Sequence, residues 1–256
     1  MLLAIDVGNT ETVVGLYGDD DLVDHWRLAT NAERTSDELA LLIRDLLGFH
    51  DAAWEQVVDG MAVCSGVPRV TAALREMADR YFGFPPVVLE PGTRTGIPIL
   101  YDNPREVGPD RIANAVAAFD RYGGPTIVVD FGTATTFDAI SAKGEYLGGA
   151  IVPGIEISLD ALFARAALLR RVELVPPRHV IGKSSVESVQ SGAIHGFAAQ
   201  VDGLCRLFAQ ELGESTVVAT GGLAALMAPL ASSIQHHDPW LTLHGLRLVY
   251  ERNRAA

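Results

Sequence analysis

The chain is poor in cysteine and in aromatic residues, with two cysteines and 7% Phe, Trp and Tyr in 256 residues. Cys64 and Cys205 each stand inside an apolar stretch and form no C-x-x-C pair, so their spacing supports neither a structural metal nor a disulfide framework. Buried, reduced thiols of a cytosolic protein are the expectation. Basic residues are also scarce, 20 against 32 acidic, and the formal net charge is −12. Such a field repels phosphate backbones and anionic lipid surfaces at long range. It argues against nucleic acid and membrane as partners, while a local basic pocket could still hold a nucleotide. Long uninterrupted apolar runs are missing too. The run from Met1 to Ile5 stops at Asp6 with no basic region ahead of it, and the stretch Gly148 to Leu169 is broken by Glu156, Asp160 and Arg165. Neither a signal peptide nor a membrane span is expected, and the chain reads as soluble and cytoplasmic.

What is present is a hydrophobic fraction of 48%, enough for one large core or two ordinary ones. Leu2 to Ile5, Thr12 to Tyr17 and Leu22 to Leu28 read as three strands, joined by a turn at Asp6 to Thr10 and a polar turn at Gly18 to Asp21. Thr35 and Glu38 make a capping box, opening a helix whose Leu39, Leu42, Ile43 and Leu46 recur at helical spacing before Gly48. A strand ending at Met61 to Cys64, a helix near Val70 to Tyr81 and a strand Val87 to Leu89 follow. The second half renews the plan. Thr126 to Val129 is a strand, Asp130 to Thr135 a turn, and Thr136 to Ile140 with Tyr146 to Ile151 a hairpin around Lys143-Gly144. Asp6 and Asp130 end like strands nearly half the chain apart, so an internal duplication is the economical reading. Glycines and a proline at Gly123-Gly124-Pro125 mark the seam, predicting domains 1–122 and 123–256. Two α/β halves facing across a cleft would place a small ligand between them.

Asp6-Val7-Gly8-Asn9-Thr10 can aim amide hydrogens and the Thr10 hydroxyl at phosphate oxygens, with Gly8 allowing close approach and Asp6 able to hold magnesium through water. The same composition suits a plain hairpin turn. Its recurrence at Asp130-Phe131-Gly132-Thr133 favours the phosphate reading, and a carboxylate ending an apolar strand needs a partner or a cation. Pro109 suits a first helical turn, placing Asp110 and Arg111 beside the positive end of a helix with Ile112, Val116 and Phe119 on one face. Asp110 can equally serve only to stabilise that helix start. Gly148-Gly149-Ala150-Ile151-Val152-Pro153-Gly154 and Thr220-Gly221-Gly222 are low-bulk surfaces after strands, the second suited to adenine and ribose. Ser184-x-x-Glu187 is a second capping box opening a long helix. His195, His236 and His237 show no metal-ligand spacing.

Together, Asp6-x-Gly8-Asn9-Thr10, Gly108-Pro109-Asp110-Arg111, Asp130-Phe131-Gly132-Thr133-Ala134-Thr135-Thr136-x-Asp138 and Gly148-Gly149-x-Ile151-x-Pro153-Gly154 resemble the motifs of the type III pantothenate kinases. These belong to the acetate and sugar kinase, Hsp70 and actin superfamily. The likeness continues through Ile181-Gly182-Lys183 and Gln190-Ser191-Gly192 to Asp238-Pro239-Trp240-Leu241-Thr242-Leu243-x-Gly245-Leu246. It implies two duplicated actin-like, ribonuclease H-like α/β domains and ATP-dependent phosphorylation of pantothenate, the first step towards coenzyme A. It also implies a homodimer, ATP with magnesium, and potassium or ammonium as a monovalent cation. Carried across, Asp6, Val7, Gly8, Asn9, Thr10, Glu11, Thr12, Val13 and Thr133 contact ATP. Tyr101, Gly108, Pro109, Asp110, Arg111 and Ser185 contact pantothenate, Asp110 accepts the proton, and Asp130 holds the monovalent cation. Where Ser185 stands, the family usually has threonine. The alternatives are a non-catalytic nucleotide-binding regulator of the same superfamily and a kinase for another small alcohol, which would share the phosphate turns without the Tyr101 and Gly108 to Arg111 segment.

Overall fold

The structure, a computed structural model, describes residues 1–48 and 58–254. Its contacts divide the chain into two units, Met1–Ala117 with Leu241–Ala256, and Ala118–Trp240.

The first unit holds a five-stranded mixed sheet of β1 (Leu2–Val7), β2 (Glu11–Gly18), β3 (Asp21–Ala29), β4 (Gly60–Ser65) and β5 (Val87–Val88), ordered β3-β2-β1-β4-β5. Alternation along the strands sends Leu3, Ile5, Val7, Val14, Leu16, Met61 and Val63 to one face. There they meet Leu39, Ile43 and Leu47 of α1 (Ser36–Gly48) and Val70, Leu74 and Met77 of α2 (Pro68–Met77). Each such side chain contributes about 1.5–3 kcal/mol when fully buried. The capping box of α1 forms as the sequence predicts, with Thr35 N donating to Glu38 Oε2 at 2.9 Å and Glu38 N to Thr35 Oγ1 at 3.3 Å. The helix expected over 70–81 is α-helical to Met77 and wound as a π turn over Ala78–Phe82.

Helix α3 (Pro109–Tyr122) departs from its one-faced expectation. Arg111 to Ala118 are all buried, because alanines at 113, 115, 117 and 118 pack as closely as Ile112 and Val116, while Phe119 is half-buried.

In the second unit β6 (Thr126–Phe131), β7 (Ala134–Ile140), β8 (Tyr146–Pro153), β9 (Thr216–Thr220) and β10 (His236–His237) are ordered β10-β9-β6-β7-β8. The plan matches the first sheet: a central strand carries an antiparallel meander on one side and parallel strands on the other. Asp6 and Asp130 are each the fifth residue of that central strand. Ile127, Val129, Phe131 and Phe137 pack with Ile155 of α4 (Ile155–Arg165) and with Ile194, Val201 and Cys205 of α5 (Ser185–Leu212). The second capping box also forms. Glu187 N donates to Ser184 Oγ at 3.2 Å, and Lys183 N to Glu187 Oε2 at 2.9 Å, so Ser184 is the cap and Ser185 the first helical residue. A short α6 (Ala224–Met227) follows β9.

The last helix, α7 (Leu241–Asn253), packs on β1, β2 and β4 and grips α3 within the first unit. A Cβ at Gly245 would lie 1.9 Å from the Ala113 carbonyl oxygen, so only glycine lets the two backbones meet there. Thr242 Oγ1 donates to Asn114 Oδ1 at 2.7 Å beside that contact. The C-terminal motif thereby braces the helix that begins with Asp110. Among the described residues, no helix is long and apolar enough to cross a membrane.

Candidate active site

In the first unit, β1 and β2 meet in a tight turn closed by Gly8 N donating to Glu11 O at 2.9 Å. Thr30, one residue past β3, holds that turn from the side. Its amide donates to Thr10 O at 2.9 Å and its hydroxyl to Gly8 O at 2.8 Å. Because the single hydroxyl proton of Thr30 is spent on Gly8, the 2.8 Å contact between Thr12 Oγ1 and Thr30 Oγ1 has Thr12 as donor. Thr12 is buried in this work, and Val7 faces the core, whereas Gly8, Asn9, Thr10 and Glu11 are exposed and Val13 is half-buried. Arg27 of β3 bonds Glu11 across the hairpin.

Strand pairing sets Cys64 of β4 level with Asp6 of β1, and Cys64 Sγ donates to Asp6 Oδ1 at 3.0 Å. Burial pushes the Asp6 carboxyl from its ordinary value up to about 7. Asp110 and Glu11 push the same way, and the Cys64 hydrogen bond and Arg27 pull it down. Burial, then the adjacent Asp6 carboxylate, drives the Cys64 thiol well above its usual range, so it stays a protonated donor. Sequence reading missed both Cys64 and Thr30. Nothing in a lone apolar-flanked cysteine or a loop threonine announces a neighbour on a strand far away in sequence.

Asp110 enters the same neighbourhood from the start of α3, where Ile112 N donates to Gly108 O at 3.2 Å. Asp110 is exposed, and its carboxylate folds back over Gly108: a Cβ there would sit 2.4 Å from Asp110 Oδ1. Arg111 is buried and Tyr101 half-buried. Between them Asn103 orders a short 3₁₀ turn, accepting from Arg105 N at 3.3 Å and donating to Glu106 Oε1 at 2.7 Å.

The second unit builds the matching turn from three segments. Gly132 N donates to Ala134 O at 3.1 Å and Gly154 N to Thr133 O at 3.2 Å. A Cβ at Gly154 would lie 2.2 Å from Thr133 O, and one at Gly221 would lie 2.4 Å from Asp130 Oδ1. The glycines of both low-bulk motifs therefore give way to the Asp130-Phe131-Gly132-Thr133 turn itself. Asp130 is half-buried, Thr133 exposed. Asp138, fully buried, accepts from Tyr146 Oη at 2.8 Å and from Thr136 Oγ1 at 3.3 Å. Ser185 is exposed at the start of α5 and lines a groove of about 960 Å³ with Leu159, Leu162, Leu169, Lys183 and Phe197.

Among the described residues no three His, Cys, Asp or Glu side chains cluster to hold a metal. The donor set fits a magnesium ion that comes with phosphates and keeps its waters, needing one carboxylate rather than a protein cage. Asp6 suits that task, since its burial and the nearby acids Asp110 and Glu11 make its charge costly without a cation.

A family model for type III pantothenate kinase matches residues 2–207. A type III pantothenate kinase of Streptomyces avermitilis is 59% identical, with 99% of this chain and 98% of that protein aligned. One from Acidothermus cellulolyticus is 56% identical, with 99% of each covered. The chain belongs to the type III pantothenate kinase family. Solved structures agree on the fold of this family member at low identity. A Campylobacter jejuni protein described as a Baf family transcriptional activator has a TM-score of 0.62 at 19% identity, covering 98% of both chains. A ROK hexokinase from Thermus thermophilus has a TM-score of 0.53 at 13% identity, again over 98% of both. With its two like mixed sheets, the protein has the duplicated actin-like α/β fold.

Proposed function

We propose that this chain transfers the γ-phosphoryl group of ATP to the primary hydroxyl of pantothenate, giving 4′-phosphopantothenate in the first step of coenzyme A biosynthesis. The observation carrying the reading is that one unit of a chain aligned to this family along its length groups Asp6 with the Gly108 to Asp110 helix start. Phosphoryl transfer through a loose transition state asks chiefly for alignment and charge neutralisation. ATP with its divalent metal supplies the phosphoryl group and much of the neutralising charge.

In this reading the exposed turn at residues 8–11, within the ATP segment Asp6 to Val13, receives phosphates on its backbone amides, and Thr133 is an ATP contact in the second unit. Asp6 holds magnesium through water. Tyr101 and Gly108 to Arg111 hold pantothenate, Arg111 gripping its carboxylate. Asp110 orients the hydroxyl and takes its proton late, as the bond to phosphorus forms, for which position matters more than basicity. Asp130, in the space that Gly221 leaves open, holds potassium or ammonium. Two copies associate, and Ser185 reaches the pantothenate of the other copy. In support, Leu162 of the groove that Ser185 lines is exposed, as are Ile157, Leu168, Val180, Ile181 and Val186, each within a few residues in sequence of a residue lining it. The enzyme works in the cytoplasm.

The test is to incubate the purified protein with ATP, magnesium and a panel of small alcohols, with sodium or potassium, and to measure ADP release. ADP release dependent on pantothenate and raised by potassium is expected. Release with a sugar or short acid but not with pantothenate would reject the reading.

A further inference from the structure

Both units set a side chain with a hydrogen-bond donor beside their strand-end aspartate. Parallel pairing of β1 with β4 puts Cys64 level with Asp6, and parallel pairing of β6 with β9 puts Thr220 level with Asp130. Cys64 is fully buried and Thr220 nearly so. In the first unit the contact is direct at 3.0 Å, and among the described residues Cys64 is the one hydrogen-bond donor to the Asp6 carboxylate. The terminal torsion of an aspartate is broad and roughly two-fold, so partners rather than rotamer wells decide where its oxygens point.

We propose that Cys64 is a positioning residue for nucleotide binding: its thiol holds Oδ1 of Asp6 and so presents Oδ2 to the hydrated magnesium of ATP. The inference rests on the role given to Asp6 above. A thiol suits the task because it is a weak donor, which fixes the carboxylate without spending much of its capacity to attract a cation. Its complete burial shields the thiol from the reactions that an exposed thiol undergoes. Alanine would leave Asp6 to swing. Valine would fill the space and leave Asp6 equally unheld. Serine would keep a donor on a shorter arm.

The experiment measures binding of ATP with magnesium by titration calorimetry, and both Michaelis constants, for the parent, Cys64→Val, Cys64→Ala and Cys64→Ser. Loss of one weak hydrogen bond to a charged group predicts that valine and alanine weaken nucleotide binding roughly threefold to tenfold. The Michaelis constant for pantothenate stays put, and serine recovers most of the loss. In an Asp6→Ala background Cys64→Val has no further effect, since the two residues act as one. Parent-like nucleotide binding by Cys64→Val or Cys64→Ala overturns the proposal, as does equal loss in the serine and valine variants or additive loss in the double variant. If Asp6→Ala alone binds as the parent does, the role of Asp6 falls and this inference with it. An impaired Asp6→Ala beside a parent-like Cys64→Val defeats the inference alone.

Discussion

Replacing Gly108 by alanine should slow turnover without unfolding the protein. The new Cβ would stand 2.4 Å from Asp110 Oδ1, 3.6 Å from Asp110 Cγ and 3.7 Å from Arg111 Cδ, so the Asp110 carboxylate is the group that must move. Gly108 does not occupy the left-handed region, so alanine fits its backbone and the collision is confined to the side chain. Three modest terms bear on stability. Alanine is a poorer helix cap than glycine, by up to about 1 kcal/mol. It gains about 0.4–1 kcal/mol by restricting the unfolded chain. A side chain forced off its rotamer costs about 0.5–1.5 kcal/mol. The first two nearly offset, leaving a shift of a degree or a few in the thermal midpoint, since 1 kcal/mol moves a protein of this size by roughly 2–4 °C. The rate should respond far more, because displacement of a reacting group by about 1 Å can cost on the order of a hundredfold. ADP release would show kcat falling roughly tenfold to a hundredfold, while ATP binding by calorimetry stays as in the parent. A variant with parental kcat and an unchanged midpoint would refute the claim that the open space at Gly108 sets the position of Asp110.

Three further outcomes follow from the same geometry. Because burial raises the Asp6 carboxyl to about 7 in the folded protein, the folded state binds a proton that the unfolded chain has released, and stability falls as pH rises from about 4 to about 7. Asp6→Asn should therefore raise the thermal midpoint of the nucleotide-free protein, by a margin that grows across that window and then levels; a margin independent of pH would count against it. Among the described residues the buried Thr135 hydroxyl meets no hydrogen-bond partner, so Thr135→Val should be neutral or stabilising by up to about 1 kcal/mol in chemical denaturation. A loss of more than about 1 kcal/mol would show that the Thr135 hydroxyl is hydrogen-bonded in the folded protein. Since Ser184 and not Ser185 caps α5, Ser185→Ala should leave the thermal midpoint alone and raise the Michaelis constant for pantothenate, corresponding to roughly 0.5–1.5 kcal/mol of binding. Ser185→Thr should be tolerated. A lower midpoint with both Michaelis constants unchanged would make Ser185 a helix-start residue only.

Much of the fold is legible in the sequence because its signals are local. Thr35 with Glu38 and Ser184 with Glu187 announce two helix starts within four residues, and both caps form. The duplication is legible because Asp6 and Asp130 end strands of like pattern, and both sheets repeat one strand order. What escapes is whatever depends on pairing between distant segments. Cys64 reads as an inert core thiol until parallel pairing sets it against Asp6, 58 residues away. Thr30 reads as loop until β3 carries it beside the Gly8 carbonyl. Gly154 and Gly221 read as ligand surfaces, yet their missing side chains make room first for Thr133 and Asp130. Leu241 to Leu246 read only as part of a motif, and nothing local tells that they open a helix over the first sheet or that Gly245 meets Ala113. Charge balance and turn composition are local and could be read; register is not.

The central claim is that Asp110 accepts the proton of the pantothenate hydroxyl during phosphoryl transfer from ATP. Its most direct measurement follows the γ-phosphoryl group of ATP into phosphopantothenate, in the parent and in Asp110→Asn, with nucleotide binding measured on the same samples. Asparagine keeps the size of the side chain and cannot take the proton. The parent should form phosphopantothenate with one ADP per product, and Asp110→Asn should bind ATP as tightly while losing nearly all transfer. Comparable transfer by the two proteins, or a parent that forms no phosphopantothenate, would contradict the account.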